Sequence, residues 1–237
     1  MPDAEGQGDD ATSHRQGSFF GRRKGHRLRA HQADLIEHLL PHLALDLAHP
    51  AASVLDLFDP PAKELRLEIG FGGGEHLVAE ALSYPETGFI GCEPYVNGMA
   101  KILAQIEAHH VRNIRLLAGD AAELLAWLPA GSLARIDLIH PDPWPKRRHW
   151  KRRFVQDATI AAMARALRPG GEFRFVSDID DYCAWTLWHL LRAPQFEWTA
   201  ERADDWRQPW PGYTMTRYGQ KATREGRVAN YLRFRRK

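Results

Sequence analysis

Five short stretches of the chain combine side chains that can bind or polarise a small molecule. The first is Glu68-Ile69-Gly70-Phe71-Gly72-Gly73-Gly74, a carboxylate two residues ahead of a G-x-G-x-G turn. Glycines such as Gly70 and Gly72 let a backbone turn tightly and pass close to a ligand. A dinucleotide turn would read G-x-G-x-x-G and keep carboxylates away from the pyrophosphate. Glu68 would repel phosphate and attract a cation such as an amino group. The second stretch, Gly91-Cys92-Glu93, offers a carboxylate suited to a pair of ribose hydroxyls. In the third, Gly119-Asp120-Ala121, Asp120 can accept from an adenine amino group or cap the helix that follows, and the two roles are compatible. The fourth is His140-Pro141-Asp142-Pro143-Trp144-Pro145-Lys146. Its three prolines stiffen a loop that presents a carboxylate and an indole. An indole can stack on a base, and a carboxylate can bind the N1–H and amino edge of a guanine. In the fifth, Ser177-Asp178-Ile179-Asp180, either acid can cap a helix, and Asp178 is the better functional candidate.

The elements around these stretches alternate. Strands are expected at 65–70, 88–93, 113–120, 134–140 and 172–178, each followed by a helix: 75–83, 96–109, 121–128, 153–168 and 180–192. Arg168-Pro169-Gly170-Gly171 is the expected stop of the fourth helix. Two more strands, 196–201 and 228–236, have no helix between them, so one of them is expected to run antiparallel. A helix over 30–47 is expected to kink or split at Pro41. This pattern gives an α/β fold, a doubly wound and mostly parallel sheet covered on both faces. Ligands in such sheets bind beyond the carboxyl ends of the strands, where the five stretches fall.

The chain has 237 residues, 44% of them hydrophobic, and a net charge of +2. That composition excludes disorder of the whole chain, and no apolar run reaches membrane-spanning length. The polar N-terminus lacks the apolar stretch of a secretory signal. Two cysteines, Cys92 and Cys183, exclude a disulfide framework and read as small buried hydrophobes; a reducing cytoplasm is expected. The expected organisation is a disordered leader (1–18), a basic extension with a helix (19–63) and a catalytic domain (64–237). The small net charge hides a strong polarity. Twenty of the 32 basic residues lie at 15–29, 146–153 and 217–237, together with a single acid, Glu225. An acidic body with basic surfaces suits a polyanionic partner. Bland readings cover the remainder: His38 and His42 lack a third metal ligand, and Trp185 and Trp188 are expected in the core.

Taken together, LEIGFGGGEHL, GCEPYVNG, HPDPWPKRRHWKRRFV, FRFVSDIDDY and TRYGQKATREGR resemble class I S-adenosylmethionine-dependent methyltransferases. More narrowly, the chain from about residue 19 onward is similar to bacterial tRNA (guanine-N7-)-methyltransferases. The resemblance implies a Rossmann-like sheet of seven strands and a guanosine substrate at position 46 of the tRNA, in the variable loop. It implies Glu68, Gly70, Gly72, Glu93, Asp120 and Asp142 at the methyl donor, with Asp142 also catalytic. It implies Lys146, Asp178, Thr216, Arg217, Tyr218 and Gly219 at the substrate. Gly219 departs from the pattern, because the family usually has glutamate there; Gln220 could substitute, or fewer groups could hold the guanine.

Guanine N7 carries a lone pair and no proton, so methyl transfer to it needs neither a general base nor a metal. The expected agents are alignment and a fixed carboxylate, Asp142, opposite the charge that develops on the ring. The basic run 146–153 is expected to hold phosphates, and 15–29 to be a second tRNA contact that orders on binding. No protein partner is evident, and a monomer is expected. The rivals are a nicotinamide-dependent dehydrogenase, a methyltransferase for a small molecule or protein, and a non-enzymatic RNA-binding module.

Overall fold

Leu65, Leu67 and Ile69 alternate along β1 (Glu64–Ile69) with Glu64, Arg66 and Glu68, so one face of this central strand is apolar and the other charged. The computed structural model describes residues 20–21, 23–48 and 53–237. The leader expected at 1–18 lies outside them. The further strands are β2 (Thr87–Cys92), β3 (Ile114–Leu117), β4 (Leu133–Ile139), β5 (Leu167–Ser177), β6 (Phe196–Trp198) and β7 (Asn230–Arg236). They form one seven-stranded sheet in the order β3-β2-β1-β4-β5-β7-β6. β7 runs antiparallel to both its neighbours, and the other pairs are parallel. Strand order reverses between β1 and β4, and that switch point is where such sheets open a ligand crevice.

The helices are α1 (Ala30–His38), α2 (Leu40–Leu43), α3 (Glu75–Ser83), α4 (Val96–His109), α5 (Ala121–Trp127), α6 (Asp157–Ala166), α7 (Asp180–Arg192), α8 (Asp204–Arg207) and α9 (Arg217–Arg224). Leu124, Met163 and Tyr182 bring α5, α6 and α7 onto the apolar face of β1, β4, β5 and β7. Leu35, Leu77, Ile102 and Ile106 bring α1, α3 and α4 onto the opposite face of β2 and β3, around Phe89, Ile114 and Leu116. Between that cluster and a small one around Trp210 and Tyr231, the charged face of β1 and β4 is buried as an ion network. Arg135 pairs with Asp137 (2.7 Å) and with Glu80 of α3, and Arg66 reaches the same Glu80 at 3.2 Å.

Four expectations need correction. The helix expected over 30–47 does split, at Leu39 with Pro41 in the first turn of α2, but it ends at Leu43 rather than 47. Ala44 then bridges Leu116, and the Leu45 N–H donates to the Leu116 carbonyl (2.9 Å), which covers the edge strand β3. The helix expected over 153–168 is shorter. Residues Arg147–Arg152 form a 3-10 turn, α6 starts at Asp157, and Arg168 to Gly171 lie inside β5, where its register against β4 shifts. The stretch between the last two strands contains α8 and α9. Trp188 is not in the core but 55% exposed on α7.

Candidate active site

A cleft of about 630 Å³ opens at the carboxyl ends of β1, β2 and β4. Its floor is the turn after β1. Gly70 and Gly72 have φ of +69° and +58°, and nothing lies within 4 Å of where a Cβ on either would stand. Only glycine holds that backbone without strain, and the space above it is left for a ligand. Glu93, buried at the end of β2, lines the cleft. The N–H groups of Gly72 (2.8 Å) and Tyr95 (3.0 Å) donate to its two oxygens, so the carboxylate is fixed before any ligand arrives. Burial pushes its pKa up, those two donors oppose the shift, and the nearby Asp142 adds to it.

The loop after β4 forms the facing wall. His140 and Trp144 adopt left-handed φ of +49° and +43°, which is uncommon for residues other than glycine, and they bracket Asp142. Asp142 lines the cleft, and burial raises its pKa. The Arg152 guanidinium lies over the Trp144 ring at 5.0 Å and near Phe20 at 5.7 Å, so a cation and two aromatic rings line the cleft together.

The first turn of α9 completes the wall. The Thr216 hydroxyl caps that helix by accepting from the Gly219 N–H at 3.1 Å. Arg217 pairs with Glu75 of α3 at 2.9 Å, yet stays 76% exposed, so the pair is worth little and can open. Tyr218 packs against His140 at 5.0 Å between ring centroids.

Gly70, Gly72, Glu93, Asp142, Thr216, Arg217 and Tyr218 therefore meet in one cleft. Glu68 does not line it. Its side chain is on the charged face of β1, buried, 2.7 Å from His76 Nδ1 of α3. Asp120 stands between the cleft residues Gly119 and Ala121 and caps α5, accepting from the Ala122 N–H at 2.8 Å. Asp178 is buried behind the wall, against His140 and Arg227. Gly219 faces a smaller cavity next door. Lys146 is exposed at the start of the 3-10 turn, outside the cleft. Arg153, grouped by sequence with the phosphate ligands, is buried, and its Nε donates to the Pro143 carbonyl at 2.9 Å.

A family model described as "Putative methyltransferase" matches residues 62–232. A tRNA (guanine-N(7)-)-methyltransferase of Rhodopseudomonas palustris is 77% identical over 99% of this chain and 89% of its own length. One of Bradyrhizobium diazoefficiens is 73% identical over 98% and 99%. The chain belongs to the tRNA (guanine-N7-)-methyltransferase family. Among solved structures, the 16S rRNA methyltransferase KamB superposes with a TM-score of 0.55 at 16% identity, covering 74% of this chain and 88% of its own. A Streptococcus mutans protein described as "a putative methyltransferase", in complex with SAH, gives 0.51 at 10%, covering 74% and 90%. At such identities these two establish the Rossmann-like methyltransferase fold alone.

The cleft fits the cationic donor of this family. The glycine turn leaves open space, Glu93 offers a fixed acceptor at the end of β2, and the carboxylates of Glu93 and Asp142 suit a positive sulfonium. Sequence reasoning missed His140, Lys101, Phe20 and Arg152 as individual members of the cleft wall. His140 was legible only as the residue between β4 and its proline loop, Arg152 only as part of the basic run 146–153, and Lys101 and Phe20 carry no pattern that points to the cleft. The described part of the basic N-terminal segment is already held to the body. Arg23 O accepts from the Val96 N–H (3.0 Å), and Asn97 bonds the backbone of Gly25 and His26.

Proposed function

We propose that the chain transfers the methyl group of S-adenosylmethionine to N7 of the guanosine at position 46 of tRNA, in the variable loop, acting in the cytoplasm. The observation that carries this reading is identity of 71–77% to tRNA (guanine-N(7)-)-methyltransferases over almost the whole chain. The geometry supports it. The proposed donor residues are Gly70, Gly72 and Glu93, with Asp120 at the edge of that site. When bound, the donor supplies an electrophilic methyl on a positive sulfur. Glu93 receives the ribose hydroxyls on a carboxylate already oriented by two backbone donors.

Asp142 faces the acceptor. The guanine ring gains positive charge as N7 is methylated, and a carboxylate held between two left-handed residues stabilises that charge without reorganising. No group has to remove a proton from N7. Trp144 and Tyr218 supply flat apolar surface for the base, and the cations of the 3-10 turn face its phosphates.

The test is transfer of labelled methyl to bulk tRNA lacking N7-methylguanosine, with nucleoside analysis. Wild-type protein should form N7-methylguanosine. Asp142→Ala should lose roughly 100-fold or more in turnover while keeping its tRNA affinity. Near wild-type turnover in that variant would remove Asp142 from the mechanism.

A further inference from the structure

His140 closes the end of β4, where its N–H donates to the Val176 carbonyl at 2.8 Å. Its side chain stands in the wall shared by the main cleft and the smaller cavity of about 240 Å³ beside it. Nδ1 lies 3.2 Å from Asp178 Oδ1, and the other oxygen of that carboxylate is 3.0 Å from Arg227 Nη1. An ionised carboxylate only accepts, so Nδ1 must carry the proton. Burial lowers the pKa of the ring against the pull of Asp178, with Arg227 adding to the fall, which favours the neutral form. In a neutral ring protonated at Nδ1, Nε2 presents a lone pair.

The surroundings of Nε2 are unusual. A Cβ on Gly219 would stand 3.2 Å from it and 3.0 Å from Met215 Cγ. Any side chain at 219 would crowd that nitrogen, and the Thr216 cap fixes the first turn of α9 in this position. Gln220 is exposed and borders neither cavity. Asp178 is buried and absent from the cleft wall, with Oδ1 against His140 and Oδ2 in an ion pair with Arg227 but without a hydrogen bond.

The Watson–Crick edge of guanine offers two donors, N1–H and the 2-amino group, and needs acceptors to read it. We propose that His140 is a specificity-determining contact, its Nε2 accepting a hydrogen bond from this donor edge, with Asp178 and Arg227 as positioning residues and Gly219 placing no side chain against the nitrogen. The assignment rests on the guanosine reaction proposed above and names the group that reads the base.

Three variants at 140 separate contact from tether. Gln can place an acceptor near the Nε2 position, Asn can replace only the Nδ1 donor, and Phe replaces neither. His140→Phe and His140→Asn should lower kcat/KM for unmodified tRNA roughly 10- to 100-fold, mainly in kcat. Their affinity for S-adenosylhomocysteine should stay near wild type. His140→Asn, which keeps the Nδ1 donor, should also keep the melting temperature, whereas His140→Phe strips buried Asp178 of that donor and should melt lower. His140→Gln should stay within about fivefold of wild type, since it keeps one hydrogen bond of that size. Gly219→Ala should resemble His140→Phe. Retention in His140→Asn with loss in His140→Gln would overturn the proposal in favour of a tether. So would a His140→Gln as impaired as His140→Phe, or a fully active His140→Phe. Absence of N7-methylguanosine from the wild-type reaction would instead overturn the underlying reaction.

Discussion

The Nε of Arg153 donates to the carbonyl of Pro143 at 2.9 Å, tying the end of a basic run to the loop that carries Asp142. Its side chain is fully buried, pairs with Asp181, and lies over the rings of Trp150, Tyr182 and Trp185 at 5.0–5.2 Å. A planar guanidinium can make these edge and face contacts together, and an ammonium cannot. Arg153→Met and Arg153→Lys should therefore each cost about 2–4 kcal/mol of stability, discounted from a fully buried pair because Asp181 is half-exposed. Thermal unfolding should show a melting temperature several degrees lower. Arg147→Ala, on the exposed side of the same run, should leave it unchanged.

The cations at 146, 147, 148 and 151 are exposed along the 3-10 turn beside the cleft mouth. Replacing Lys146, Arg147, Arg148 and Lys151 with glutamine should weaken tRNA binding and leave binding of S-adenosylhomocysteine intact. The slope of log affinity against log salt should fall by about 0.7–0.9 for each phosphate that is no longer neutralised. Filter binding at several salt concentrations measures it. A slope equal to that of the wild type would mean that these cations do not touch phosphate.

The contrast between buried Arg153 and the exposed cations at 146, 147, 148 and 151 marks what the sequence could and could not carry. Alternating strands and glycine turns are local patterns, so the parallel sheet was legible. The antiparallel end came out as expected although α8 and α9 intervene, and the expected helix stop at Arg168 to Gly171 lies inside β5. The meeting of Glu93 and Asp142 was legible too, because the ends of parallel strands converge on one crevice, whereas Tyr218, on α9, was reached only through the family resemblance. Burial of a charge is not local. Arg153 reads like its neighbours until Trp150, Tyr182 and Trp185 close over it. Glu68 reads as a cleft acid until the alternation of β1 turns it onto the charged face, where His76 meets it. The short helices α8 and α9 escaped for a related reason. Their formation depends on the Thr216 cap and on packing against β7 more than on any apolar period.

The pair of Glu68 and His76 gives the fold a pH dependence. Burial lowers the pKa of His76, but the charge and hydrogen bond of Glu68, with Asp137 and Glu80 nearby, outweigh it, and the net shift is upward. Glu68 is shifted upward too, by burial against the pull of His76. Both groups hold their protons more tightly folded than unfolded. The contribution of His76 is therefore complete below its ordinary value of 6.5 and is lost as the pH rises through the raised native value. Wild-type melting temperature should fall across that alkaline window. His76→Gln should be less stable at pH 6 and show a flatter profile. Parallel profiles for the two proteins would show that the pair does not titrate there.

Gly98, in the first turn of α4, fixes the floor of the cleft from below. A Cβ at that position would stand 2.4 Å from the Gly72 carbonyl oxygen and 3.2 Å from Glu93 Cγ. Backbone is what it would strike, so the strain cannot be relieved by a rotamer change. The Gly72 N–H is also the donor that orients Glu93, at 2.8 Å. Gly98→Ala should therefore displace the glycine turn and its acceptor together. Overpacking of this kind costs about 1–3 kcal/mol. Affinity for S-adenosylhomocysteine, measured by calorimetry, should weaken tenfold or more. Ala100→Gly, two residues further along the same helix and buried, should lower stability by about 2 kcal/mol, through helix propensity and the lost buried methyl, and leave that affinity near wild type. If Gly98→Ala lowers the melting temperature but binds normally, the turn tolerates displacement and Glu93 is oriented by Tyr95 alone.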